Sequence, residues 1–197
     1  MYDELVERVA ERAARIKIGN PVDDATELGP LAFEAQRDKV ESYVRLGVDD
    51  GAKVVHGGNR PEIELPGYFY APTILTDVDN DMRVVREEIF GPVAAIMPFD
   101  TEDEVLRLAN DTDYGLAAGV WTKSLSRAHR MARRLDAGTV WVNTYRAMSP
   151  MSPREGFKSS GVGIEHGIES MHEYTRLKSV WINTSEDPVA DPFIMRS

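Results

Sequence analysis

The sequence predicts an α/β protein built on a parallel sheet, and three observations carry that prediction. Residues 93–99, Val-Ala-Ala-Ile-Met-Pro-Phe, are almost continuously apolar, the pattern of a parallel strand covered on both faces. After them, β-prone runs at 116–121 and 139–142 alternate with helical patterns of about ten residues, the rhythm of right-handed βαβ crossovers. Both helical patterns open on a cap: Thr101-Glu102-Asp103-Glu104 reads as a capping box with Glu104 reaching back to the Thr101 amide, and Ser124 heads the second.

Each element follows from its pattern. Residues 2–18 predict a helix, with Leu5, Val6, Val9, Ala13 and Ile16 on one face, stopped by Gly19-Asn20-Pro21. A second helix is expected from Pro30 to about Val48, carrying Phe33, Val40, Tyr43, Val44 and Leu46. Residues 52–55 form a short strand candidate closed by Gly57-Gly58, and 68–75 a further extended segment interrupted by Pro72. The capped helices run from Thr101 to about Asn110 and from Ser124 to before Gly138. Residues 144–163, with Pro150, Pro153, Gly156, Gly161 and Gly163, predict a long loop of the kind that is usually functional. A short helix is expected within 164–174 and a final strand at 177–182, followed by an extended tail containing Pro188 and Pro192. No internal repeat and no low-complexity segment interrupts the series.

Composition narrows the chemistry. The chain has 197 residues, a formal net charge of −10 and no cysteine. Disulfides, thiolate zinc sites, iron–sulfur clusters and a cysteine nucleophile from these residues are thereby excluded. The acidic balance speaks against nucleic-acid binding, which draws on basic surface. No apolar stretch is long enough to span a bilayer and no signal-peptide pattern opens the sequence, so a cytoplasmic protein with no membrane partner is expected.

Few residues stand out chemically. Glu87-Glu88-Ile89-Phe90-Gly91-Pro92 reads either as a solvated acidic turn or as a carboxylate and flat ring presented to a ligand. The loop glycines fit neither G-x-G-x-x-G nor the P-loop and suit turns or close backbone approach. Lys158 reads as an anion site or as a surface lysine. Glu165-His166 and His172-Glu173 lack i, i+4 ligand spacing, so no metal is expected. Ser149, Ser152, Ser159 and Ser160 sit in no G-x-S-x-G elbow. No complete catalytic constellation is present.

Seven ordered blocks nevertheless form a pattern. They are Gly29-Pro30; Gly67-Tyr68-Phe69 with Ala71-Pro72-Thr73; Glu87-Glu88-Ile89-Phe90-Gly91-Pro92-Val93; Tyr114-Gly115-Leu116-Ala117-Ala118; Ala137-Gly138-Thr139-Val140-Trp141-Val142-Asn143; Lys158-Ser159-Ser160-Gly161-Val162-Gly163; and Tyr174-Thr175-Arg176-Leu177-Lys178-Ser179-Val180. In this order, from Tyr2 to about Ile182, the chain resembles the carboxyl-terminal portion of the NAD(P)-dependent aldehyde dehydrogenase superfamily. The resemblance implies a Rossmann-like catalytic domain, truncated at its amino end, over 1–176, and an oligomerisation strand and tail over 177–197.

It also implies roles. Glu88 matches the glutamate that holds the nicotinamide ribose hydroxyls, and Phe90 the aromatic that positions the nicotinamide ring. Gln36 and Lys39 look like helix residues near the adenine ribose. Met148 and Arg154 fall in the loop lining the substrate tunnel, and Glu165 near a proton-exit route. The strand around 178–182 resembles one that pairs with a neighbouring subunit, so a homo-oligomer is expected.

Two positions depart from the family. Arg154-Glu155-Gly156 stands where a Gly-Gly pair is usual, which adds charge and removes backbone freedom beside the loop. Ile164 replaces a frequent arginine. The family's thiol nucleophile, general base and cofactor domain are expected upstream of Met1. The resemblance therefore implies NAD or NADP as cofactor of a complete enzyme, an absent amino-terminal portion as a partner, and no activity or tight cofactor binding by this chain alone. The alternative is a non-catalytic oligomerisation module derived from the same family.

Overall fold

The computed structural model describes residues 1–187 and residue 193. Helix α1 spans Tyr2–Ala14, shorter than its apolar periodicity suggests, because Ile18 leaves the helix to bridge Leu28. Helix α2 spans Glu34–Asp49 rather than starting at Pro30: Leu31 is held extended in an antiparallel bridge to Tyr68, and Phe33 enters the helix with β-region dihedrals. One face of α2 buries Val40 and Val44.

The first sheet has the order β1-β2-β3, from Lys53–His56, Thr73–Thr76 and Val93–Ala95. β1 pairs antiparallel with β2, with an irregularity between Val54 and His56, while β2 and β3 are parallel through a connection containing the short α3, Arg83–Arg86. β2 is buried along its whole length, since α1 packs on β1 and β2 while α2 lies against α3 and β1. Val40, Val44, Ala52, Tyr70, Leu75, Val78 and Val84 form the main core. Full burial of Leu75 is worth about 2 kcal/mol in transfer free energy.

A second unit follows. Helix α4, Glu102–Asn110, is capped by Thr101, whose Oγ1 accepts the Glu104 N–H at 3.1 Å. The reciprocal bond shifts by one residue from the expected box: Glu104 Oε2 accepts from the Asp100 amide at 2.8 Å, not from Thr101. Strand β4, Tyr114–Gly115, leads into β5, Ala117–Val120; helix α5, Leu125–Arg134, is capped by Ser124, and β6, Thr139–Val142, pairs parallel to β5. Leu106, Met131 and Leu135 form its core. Glu102 ties α4 to α5 by accepting from Arg127 and Arg130, and Asp103 by accepting from Arg134 at 2.8 Å. The Arg130 guanidinium, followed by that of Arg127, holds the Glu102 carboxyl down at about 2.

The expected parallel pairing is present, as two pairs, β2–β3 and β5–β6, in separate sheets. Two expectations are corrected. β3 stops at Ala95 instead of reaching Phe99, because its partner β2 ends at Thr76; Ala94 and Ala95 are exposed, not buried on both faces. Residues 177–182 form no strand. Leu177 and Trp181 are almost fully exposed, and no strand of the described chain lies beside them to complete a ladder. The expected tail from Pro188 to Pro192 lies outside the described residues.

The 144–163 loop contains two short strands, β7 at Arg154–Glu155 and β8 at Phe157–Lys158; β8 pairs with β4, and β7 with β9 at Ile164–Glu165. The expected short helix is α6, Ser170–Glu173. Among the described residues no helix is long and apolar enough to cross a membrane.

Candidate functional site

Helical spacing puts Gln36, Lys39, Val40 and Tyr43 on one face of α2, and that face grips the segment 87–91. Gln36 Nε2 donates to the Ile89 carbonyl at 2.9 Å and to that of Phe90 at 2.5 Å. Lys39 Nζ donates to the Glu88 carbonyl at 2.8 Å. The Tyr43 hydroxyl donates to the Glu87 carboxylate, which also accepts from Arg83 Nε at 2.6 Å and Nη2 at 3.1 Å. The Arg83 guanidinium, followed by the Tyr43 hydroxyl, lowers the Glu87 pKa from 4.5 to about 2. The same bond raises the Tyr43 pKa, since ionising the phenol would place two negative charges together.

Gly91 permits this close approach. A Cβ there would run into Val40, which is wholly buried. The clamp turns Phe90 outward: its backbone is left-handed, at φ 54°, and its side chain is 73% exposed. Such a conformation in a non-glycine residue costs of order 1 kcal/mol and persists only when its surroundings impose it. Glu88 is exposed as well, and among the described residues nothing engages its carboxylate. It lines a cleft of about 300 Å³ shared with Asn110, Tyr114, Leu135 and Ser160.

A second cluster forms in the long loop. Arg154 and Glu165 face each other in register across β7 and β9. Both line a cavity of about 180 Å³, while Met148 and Arg154 line an adjoining one of about 230 Å³ with Gly138 and Thr139. Gly138 allows the loop to close, since any Cβ would collide with the Glu155 carbonyl. Glu155 itself sits in extended backbone, so the departure from a Gly-Gly pair adds charge without strain.

The predicted residues therefore fall into two groups. Gln36, Lys39, Glu88 and Phe90 come together; Met148, Arg154 and Glu165 come together elsewhere. Gln36 and Lys39, expected beside the adenine ribose, donate into the Glu88–Phe90 backbone here. Lys158 is resolved as structural rather than as an anion site: its Nζ donates to the Asn110 and Thr112 carbonyls, at 2.7 and 3.1 Å, and so closes the end of α4. His166 is half-buried, and its Nδ1 has no partner among the described residues; no group of metal-ligating side chains gathers among those residues either. The Tyr43–Glu87–Arg83 network was missed by sequence reasoning. Its signals were present in the i, i+4 spacing of Arg83 and Glu87 and in the shared α2 face of Gln36, Lys39 and Tyr43.

A helix-braced loop thus presents a carboxylate and an aromatic ring to solvent on a parallel α/β scaffold. The family model described as "Aldehyde dehydrogenase family" matches residues 1–180, and the chain belongs to that family. It is 46% identical over 195 residues to betaine aldehyde dehydrogenase of Mesorhizobium japonicum, covering 98% of this chain and 40% of the relative. It is also 46% identical to (Z)-2-((N-methylformamido)methylene)-5-hydroxybutyrolactone dehydrogenase of Acinetobacter baylyi, with the same coverage. The fold superposes on an NAD+ complex of aldehyde dehydrogenase from Bacillus cereus with a TM-score of 0.89 at 43% identity, covering 93% of this chain and 37% of that one. A betaine aldehyde dehydrogenase from Staphylococcus aureus in complex with NAD+ gives a TM-score of 0.91 at 38% identity, covering 98% and 40%. The chain thus spans about 40% of the length of the curated relatives it matches.

Proposed function

We propose that these residues form the carboxyl-terminal part of a dehydrogenase that oxidises an aldehyde with NAD or NADP, and that they supply the nicotinamide end of the cofactor site. One observation carries the reading: α2 holds the 87–91 segment through its backbone carbonyls and Glu87, leaving the Glu88 carboxylate and the Phe90 ring uncommitted. An ionised carboxylate accepts hydrogen bonds from ribose hydroxyls, and an exposed flat ring excludes water from one side of a nicotinamide. Bound there, the dinucleotide would supply the hydride acceptor. Met148 and Arg154 would line the approach of the aldehyde, and Glu165, in register with Arg154, would lie on the route of the released proton. The attacking thiolate must come from outside these residues, since they contain no cysteine.

The test is aldehyde-dependent NADH formation. The chain alone is expected to turn over no aldehyde and to bind NAD weakly. Mixed with the amino-terminal portion of the M. japonicum relative it is expected to gain turnover of betaine aldehyde, lost in Glu88→Ala. Turnover by the chain alone, or low-micromolar NAD affinity by calorimetry, would overturn the reading.

A second reading, a non-catalytic association module, is favoured by residues 177–182, where Leu177, Val180, Trp181 and Ile182 are exposed. In it, 1–176 is the domain and 177–197 the segment through which copies associate. Light scattering on the chain with and without 177–197 tests it: an oligomer that becomes a monomer on truncation supports it.

A further inference from the structure

We propose that Arg154 forms a subsite for a carboxylate, so that the aldehyde oxidised is an acidic one: a short chain with its carboxylate at the end remote from the carbonyl. The inference rests on the reading above and adds the substrate class to it.

The cavity of about 230 Å³ beside Met148 has the chemistry for such a group. Among the described residues that line it, Arg154 is the only charged one. Thr139 and Ser152 add hydroxyls that make no hydrogen bond among the described residues, and Val140, Ala147 and Met148 supply an apolar wall. A guanidinium holds its donors in a planar fork that matches a carboxylate, and the hydroxyls can donate to the lone pairs that remain. The apolar wall takes the methylenes.

Arg154 is free to serve a ligand. It is half-buried on β7, and among the described residues its guanidinium makes no hydrogen bond and no ion pair. Glu165 faces it in register across β7 and β9, yet no ion pair joins the two. Lys158, by contrast, spends its donors on the Asn110 and Thr112 carbonyls. Glu155 and Glu165 line only the adjoining cavity of about 180 Å³. They leave a single carboxylate room beside Arg154, while their combined charge disfavours a dianion such as phosphate. The loop as a whole attracts anions: residues 144–163 carry Arg146, Arg154 and Lys158 against Glu155 alone, a net +2 in a chain of −10. Such a local reversal of sign draws an anionic substrate towards the cavity.

The test begins on the chain itself, by NMR, with butyrate as the probe and butyramide as its neutral counterpart. The expected result is a saturable shift of the Arg154 Nε–H and Met148 methyl signals with butyrate and none with butyramide. Arg154→Gln should weaken butyrate binding about tenfold, and Arg154→Lys should restore part of it. Arg133→Gln, which removes an equal charge from an exposed position on α5, should leave it unchanged. In a complex with the amino-terminal portion of the M. japonicum relative, kcat/KM should favour succinic semialdehyde over its methyl ester about tenfold, a preference lost in Arg154→Gln, and betaine aldehyde should show a higher KM than succinic semialdehyde. Butyrate shifts that are absent, matched by butyramide or inorganic phosphate, or retained in Arg154→Gln would each overturn the proposal, as would equal turnover of acid and ester. A complex that oxidises neither, with butyrate still held by Arg154, would uphold the carboxylate site and count against the dehydrogenase reading instead.

Discussion

Gly91→Ala places a methyl carbon inside the van der Waals envelope of Val40 Cγ2 and 3.0 Å from Cγ1. Val40 has no exposed surface and sits in the main core with Val44, Leu75 and Val84, so it has nowhere to retreat. Overpacking of this kind costs about 2 kcal/mol, by lifting the 87–91 segment from α2 or by straining α2 itself. Val40→Ala alone removes two buried methyl groups and should cost a similar amount, about 2 kcal/mol. In the double variant the new methyl occupies the vacated space, so the total should fall short of additivity by about 1 kcal/mol. Urea unfolding of the four proteins measures this cycle directly, and a 2 kcal/mol loss moves the midpoint by about 0.8 M at a slope typical of this size. A Gly91→Ala midpoint equivalent to less than about 0.5 kcal/mol, or strictly additive losses, would refute the packing argument.

Other outcomes are expected of the same molecule. The Glu87 pKa is lowered on folding, so its contribution to stability is complete above about pH 4.5 and is lost as the pH falls towards 2; urea midpoints should drop across that window, and less steeply in Glu87→Gln. Glu102 titrates in the same direction, held down first by Arg130, so Glu102→Gln should likewise flatten the acid limb, and an unchanged limb in both variants would show that neither pair matters. Thr101→Ala removes the acceptor for the Glu104 amide and should cost about 1 kcal/mol in urea unfolding. Lys158→Met should also cost about 1 kcal/mol, after allowance for solvent screening at this partly exposed side chain, by opening the end of α4; calorimetry with inorganic phosphate should give no saturable heat for either protein.

Local pattern was legible where the physics is local. The capping hydroxyls of Thr101 and Ser124 satisfy amides three residues away, so their helices were placed within a residue or a few, and the β6 strand was placed at its observed bounds. Failures occurred where a distant partner decides. The start of α2 waits on a bridge between Leu31 and Tyr68, β3 ends when β2 does, and residues 177–182 have β-prone side chains with no strand beside them among the described residues. The site behaved in the same way. Glu88 and Phe90 could be singled out from a contiguous motif, but the clamp that turns them outward joins Tyr43 to Glu87 across 44 positions.

The sequence by itself determined the α/β class, the family, the helix caps and the absence of a thiol, because each depends on composition, periodicity or contiguous motifs. Only the tertiary structure decided that Gln36 and Lys39 spend donors on loop carbonyls, that Lys158 closes a helix, and that Arg154 faces Glu165. Those assignments depend on which distant backbone groups lack a partner once the chain is packed. A side chain able to serve a ligand or a carbonyl goes to whichever the fold brings within reach.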